Sequence, residues 1–225
     1  MTTPLVLSLF PGIGLLDMAF EEEGFCVVRG PDLLWGGDVK RFHPPAGKFD
    51  GVIGGPPCKG ESALAHLNGT PGTTLRHEFR RVVDVARPFW YLMEAVKEHE
   101  GFGEYVLRLN NRWFGERQRR VRFFHSNLNL RPFVEVAALE HPEFKHAVLA
   151  GHGGAIGSVQ RGMAKYPFRE ACTLQGLPPD FDLPGFTQQA KYEAVGNGVP
   201  LHMGRAVARA VKRAMYPELL CEATA

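Results

Sequence analysis

Gly54-Gly-Pro-Pro-Cys58 places a cysteine on a short loop in which two prolines stiffen the chain and two glycines free it. A cysteine held that way at the end of an apolar run has a defined pose. Its thiolate can add to carbon 6 of a pyrimidine, which turns carbon 5 into a nucleophilic enamine. The addition needs a group that stabilises charge developing on the ring nitrogen. Glu94 closes the next apolar run, Phe89 to Met93. In a parallel sheet consecutive strands end on the same side, so Cys58 and Glu94 can meet above one edge. Without Cys58, Glu94 would read as an ordinary polar residue ending a strand.

Three further segments carry candidate ligand groups. Phe10-Pro-Gly12-Ile13-Gly14 directly follows the run Leu5 to Phe10 and opens a helix. Ligands of open α/β sheets bind beyond the carboxyl ends of the strands, where a glycine turn lets backbone come close. The spacing is not G-x-G-x-x-G, because Leu15, Leu16 and Asp17 follow, which weakens a pyrophosphate reading and leaves a ligand-binding turn and a simple tight turn both open. Gln118-Arg-Arg120-Val-Arg122 leads into another apolar run, and alternate residues of a strand share a face. That face could offer a hydrogen-bonding fork to a base oxygen, a phosphate or the acid itself. Tyr192 to Pro200 reads as a turn opening the last helix, where Asn197 could bond a ligand or cap the helix.

These residues require elements to hold them. Leu5 to Phe10, Phe25 to Arg29, Phe49 to Ile53, Phe89 to Met93, Val121 to Phe124 and Phe133 to Ala137 read as strands. Leu15 to Glu23, the run with Leu75, Phe79, Val82, Val83 and Ala86, and Val199 to Met215 read as helices. Alternating strands and helices predict an α/β sheet with crossover helices.

Composition sets outer bounds. The 225 residues are 44% hydrophobic and 22% charged, enough for a core and for solubility. No stretch approaches the ~20 apolar residues that would cross a bilayer. Met1-Thr-Thr-Pro4 lacks the basic start of a signal peptide, so a cytoplasmic protein is expected. The four cysteines are scattered, so neither a disulfide framework nor a zinc site is expected; Cys26 and Cys172 are read as small buried hydrophobes. The net charge of +2 does not itself imply a nucleic-acid partner. Arg112, Arg117, Arg119, Arg120 and Arg122 do cluster, as a phosphate-contacting run or a solvated face.

Taken in order, the motifs resemble those of the cytosine-5 DNA methyltransferase family over about three quarters of the chain: Phe10-Pro-Gly-Ile-Gly14, Gly55-Pro-Pro-Cys58, Glu94-Ala-Val96, Gln118-x-Arg120-x-Arg122, Arg169-Glu170 with Leu174-Gln-Gly176, and Gly196-Asn-Gly-Val-Pro200. The resemblance implies a Rossmann-like S-adenosylmethionine-dependent methyltransferase fold with a mostly parallel central sheet. It divides the chain into a catalytic core (1–125), a reduced target-recognition region (126–165) and a C-terminal part that returns to the core (166–225).

It also implies roles. Phe10, Gly12, Ile13, Gly14 and Leu15 would line S-adenosylmethionine, with Pro57 beside it. Asp32 would hold the ribose, Asp38 and Val39 the adenine, and Asn197 and Val199 would close the site. The product would be S-adenosylhomocysteine. Cys58 would attack carbon 6, Glu94 would bond N3 and the exocyclic amine, Arg122 the base oxygen, and Arg120 would orient Glu94. Lys59, Ser62, Gln118, His152, Gly153 and Arg161 would contact double-stranded DNA, from which the target base must be flipped. A monomer is expected, of compact phage type and with a restriction enzyme as one conceivable companion.

The chain departs from the family pattern in places. Ala95 stands where the family keeps asparagine, and Lys59 where it keeps glutamine; an ammonium there could favour the thiolate or bind phosphate. One helix looks missing between Glu94 and Gln118, and the segment after Asp32 is compressed. The short recognition region predicts specificity for roughly two to four base pairs. Gly151 to Gly154 is either a groove contact or a surface connection. Two alternatives follow: a tRNA cytosine-5 methyltransferase, since an RNA-acting branch shares these motifs, and a catalytically silent DNA-binding relative that keeps the fold, to which Ala95 and the shortened segments point.

Overall fold

In the computed structural model the chain is described over residues 3–57, 75–150 and 166–217. Six strands form one sheet: β1 (Leu5–Leu9), β2 (Cys26–Arg29), β3 (Gly51–Gly54), β4 (Trp90–Ala95), β5 (Tyr105–Asn110) and β6 (Val121–Ser126). Their order is β2-β1-β3-β4-β6-β5. The first four run parallel, and β6 is antiparallel to both β4 and β5. Five of the six strands therefore point one way, which makes the sheet mostly parallel.

Side-chain alternation sorts the core into two layers, because successive residues of a strand face opposite sides. Val6, Ile53, Trp90, Leu92, Leu107 and Phe124 face α1 (Leu15–Glu22) and the last helix, Leu201–Met215. That helix supplies Met203, Val207, Ala210 and Val211 at helical spacing. Leu7, Leu9, Val52, Tyr91, Met93 and Ala95 face α2 (Arg76–Ala86) through Phe79, Val82, Val83 and Ala86. Helices on both faces leave β3 and β4 wholly buried, as parallel strands must be.

The remaining helices, α3 (Phe168–Leu174), α4 (Gln188–Asn197) and α5 (Leu201–Met215), follow one another at the end of the chain. No described helix is long and apolar enough to cross a membrane.

Gly51 is in register with Trp90, and a β-carbon on it would sit inside the buried indole ring. Trp90 also donates from Nε1 to the Tyr216 hydroxyl at 2.9 Å, so the ring has little freedom to move. Gly51→Ala is expected to lower stability by about 1–3 kcal/mol through overpacking, read as a drop in the midpoint of denaturant unfolding. An unchanged midpoint would show that the indole repacks freely.

Several expectations need correction. Phe133 to Ala137 is not a strand: a 3-10 turn spans Arg131–Phe133, and Val136 is 58% exposed. Both edges of β6 are already taken by β4 and β5, so the apolar residues of this segment find no ladder on that strand. Conversely, Tyr105–Asn110 is a strand that the sequence pattern did not show, while the helix that looked missing after Glu94 is indeed absent between β4 and β5. Tyr192 to Asn197 belongs to a helix of its own, α4, rather than to a turn. Cys26 is exposed, whereas Cys172 is buried, and burial pushes its thiol up to about 11.

Candidate active site

The carboxyl ends of β1, β3 and β4 lie side by side, with Leu9 paired to Gly54 and Gly54 to Met93. The turn after β1, the loop after β3 and Glu94 near the end of β4 therefore share one edge of the sheet. The strand order reverses between β1 and β3, and such a reversal opens a ligand crevice at the carboxyl edge of α/β sheets.

The first turn is conformationally unusual. Gly12 and Gly14 have positive φ (56° and 82°), and so does Phe10 (55°). A left-handed phenylalanine costs of order 1–3 kcal/mol, and such residues concentrate at ligand sites. Nothing within 4 Å would meet a β-carbon on Gly12, so its backbone faces open space. Asp32, beyond β2, holds the turn: one carboxylate oxygen accepts from Gly12 N at 2.8 Å and the other from Leu34 N at 2.7 Å. Trp35 donates from its indole nitrogen to Gly12 O at 2.7 Å, yet is 60% exposed. The result is a glycine-lined hollow flanked by a half-buried carboxylate and an exposed aromatic ring. Those groups fit a nucleoside with an amino-acid tail.

Glu94 is buried, and its carboxylate lies 2.5 Å from Arg122 Nε. Its other oxygen lies 2.8 Å from where a β-carbon on Gly55 would stand. Gly55 thus admits the carboxylate to the loop that runs into Pro56, Pro57 and Cys58. A buried carboxylate is tolerated only with a charged or hydrogen-bonded partner, and Arg122 supplies it across the β4–β6 pair. Ala95, at the next position, is 1% exposed and packs in the apolar layer with Leu9 and Met93. It therefore cannot brace the loop as an asparagine would.

A second buried polar group lies behind this pair. Arg120 donates to Val148 O at 2.7 Å, to Gly196 O at 2.6 Å and to Gly198 O at 3.1 Å. Gln118 accepts from Val148 N at 3.1 Å and donates to Leu174 O at 2.5 Å. Gln175 donates to Val195 O and Gly198 O. These three side chains close the C-terminal helices and the 145–150 segment onto the sheet. Burial pushes the Arg120 pKa well down, and neighbouring Arg122 adds to the effect while Glu94 opposes it.

The site residues expected from the sequence divide accordingly. Arg120 was expected to orient Glu94, but it bonds backbone carbonyls, and Arg122 is the arginine that pairs with Glu94. Gln118, expected at DNA, is fully buried and bonds only protein. The arginine run is mostly internal as well: Arg112 holds Glu140 and the His141 and Glu143 carbonyls, and Arg117 holds Glu143. Only Arg119 of that run is exposed.

Leu15 and Val199 are buried with other core residues instead of facing the hollow, and Val39 is buried beneath the segment that Arg81 grips. Asp38 caps the short turn at Val39 by accepting from Lys40 N. Ile13 is partly buried against the cluster around Leu15. Asn197 is exposed at the end of α4, and Pro200, not Asn197, precedes α5. Cys58, Lys59, Ser62, His152, Gly153 and Arg161 lie outside the described residues.

Two contributors escaped the sequence reading. Trp35 stands three residues after Asp32 in a glycine-flanked loop, and an aromatic ring placed there was a usable signal. Gln175 sits inside a motif but gave no sign of its partners, which are 20, 23 and 57 residues away.

No family model matches the chain. It is 27% identical over 173 residues to the type II methyltransferase M.FnuDI of Fusobacterium nucleatum, covering 61% of this chain and 50% of that protein. It is 26% identical to the type II methyltransferase M.NgoPII of Neisseria gonorrhoeae over 46% of this chain and 38% of that one. The matches thus span about half the length of these relatives or less. The methyltransferase EhMeth of Entamoeba histolytica has the same fold, with a TM-score of 0.63 at 12% identity, over 97% of this chain and 99% of that one. The motif resemblance to cytosine-5 DNA methyltransferases is consistent with these findings: the chain is similar in sequence to type II methyltransferases and has a methyltransferase fold.

Proposed function

We propose that this protein transfers a methyl group from S-adenosylmethionine to carbon 5 of a cytosine flipped out of double-stranded DNA. The observation that carries this reading is the buried Glu94–Arg122 pair, laid over Gly55 at the root of the loop that bears Cys58. The type II methyltransferase relatives support it.

In this reading the Cys58 thiolate forms a bond to carbon 6, and the ring electrons move toward N3 and carbon 5. The Glu94 carboxyl delivers a proton to N3 as the charge arrives there and accepts a hydrogen bond from the exocyclic amine. Arg122 keeps the Glu94 carboxylate in place and presents its remaining N–H groups toward the base oxygen. Carbon 5 then takes the methyl group. Transfer of the carbon 5 proton to water restores the ring double bond and expels the thiolate, and N3 returns its proton to Glu94. S-adenosylmethionine supplies an electrophilic methyl group on a sulfonium. Phe10 to Gly14, Asp32 and Trp35 would hold it, the indole lying against the base and the carboxylate near the ribose. Lys59 and Ser62, on the cysteine loop, and His152, Gly153 and Arg161, in the 126–165 region, would meet the DNA.

The test is transfer of labelled methyl groups from S-adenosylmethionine to duplex DNA and to tRNA offered side by side. The expected product is 5-methylcytosine in the DNA digest. Label appearing in tRNA alone would replace the substrate, and label in neither would overturn the reading.

A further inference from the structure

At the end of β2, the side chain of Arg29 lies across the glycine turn. Its terminal nitrogen is 2.8 Å, and its central carbon 3.0 Å, from where a β-carbon on Gly14 would stand. Its Nε is 3.0 Å from an oxygen of Asp17, a residue in the first turn of α1. Asp17 is fully buried, and its other oxygen accepts from the Ser8 hydroxyl at 2.5 Å. The acid end of this pair is therefore fixed inside the protein while the guanidinium is 52% exposed.

Burial raises the Asp17 pKa, opposed by the Ser8 hydrogen bond and by Arg29. A counter-charge alone would explain why Arg29 is present. It would not explain where the guanidinium points. Asp17 occupies the Nε side, and among the described residues Arg29 has no other partner. One terminal nitrogen lies over the turn at Gly14, two residues from the open space beside Gly12. A guanidinium with its fork free binds carboxylates with two parallel hydrogen bonds.

We propose that Arg29 binds the carboxylate of the methyl donor's amino-acid end, with Asp17 and Ser8 as the anchor that aims it. This rests on the reading of the hollow as a donor site. It assigns the opposite end of the ligand from Asp32 and Trp35.

The experiment is titration calorimetry with S-adenosylhomocysteine and its decarboxylated analogue on the wild type and on Arg29→Gln. The wild type is expected to prefer the carboxylated ligand by about 10- to 100-fold, the range of a charge-assisted hydrogen bond. Arg29→Gln is expected to erase that preference while leaving the affinity for the decarboxylated ligand unchanged. Should Arg29→Gln fail to fold, the Asp17→Asn/Arg29→Gln double variant removes both charges of the pair and reads the same ratio. A preference that survives the substitution overturns the proposal, as does an equal loss for both ligands, which a merely structural role would produce. A wild type that binds neither ligand overturns the donor reading itself, and is thereby distinguished from failure of Arg29 alone.

Discussion

Cys58→Ala is expected to abolish methyl transfer while leaving the binding of S-adenosylhomocysteine unchanged. Removal of a covalent nucleophile costs roughly 10^4-fold or more in turnover, which places the variant at the background of a labelled-methyl assay. Glu94→Gln is expected to fall by about 10^2–10^4-fold, the range of a positioned acid–base group. The two losses have different physical origins. Without the thiol, carbon 5 never becomes nucleophilic. Without the carboxyl, the thiol can still add, but no acid delivers a proton to N3 as the charge reaches it.

Gln is close to Glu in shape, so it keeps the contact over Gly55 and removes only the charge that Arg122 holds. Calorimetry with S-adenosylhomocysteine on both variants separates chemistry from folding. Wild-type rates in Cys58→Ala would remove the covalent route. Wild-type rates in Glu94→Gln would remove the role of the buried pair.

Arg120→Met is expected to act on stability rather than on the chemical step. The guanidinium is buried and binds three carbonyls. Gly198 O keeps a second donor in Gln175, whereas among the described residues Val148 O and Gly196 O have no other donor. Each buried acceptor left alone costs about 1–3 kcal/mol. Relief from burying a charge offsets part of this, so a net loss of roughly 2–4 kcal/mol is expected in denaturant unfolding.

Arg120→Lys is expected to rescue little, because one ammonium cannot span carbonyls contributed by Val148 and Gly196 at once. Were Arg120 the group that orients Glu94, Arg120→Met would instead lower turnover at full stability. Unfolding and turnover measured on the same preparation distinguish the two.

The chain's local patterns account for much of this architecture. The apolar runs at β1, β3 and β4, the helical spacing of Phe79, Val82, Val83 and Ala86, and the apolar stripe of α5 all arise between near neighbours. They are legible because strand and helix periods are short. The turn at Gly12 and Gly14, and the placement of Glu94 on the edge that Gly54 and Gly55 also reach, follow from the same regularity.

What the tertiary structure alone decided are the long-range partners. Tyr105 to Asn110 is an edge strand, exposed at Tyr105 and Arg108, so its pattern is faint until β6 pairs with it. Phe133 to Ala137 carries a strand-like composition with no edge of β6 to join. Whether Arg120 or Arg122 meets Glu94 cannot be read from two arginines spaced alike; it depends on carbonyls 28 and 76 residues further on. Gln118 is buried for the same reason. Periodicity reports which face of an element is apolar, whereas the partner of a buried polar group is set by which distant backbone atoms the packing leaves without a donor.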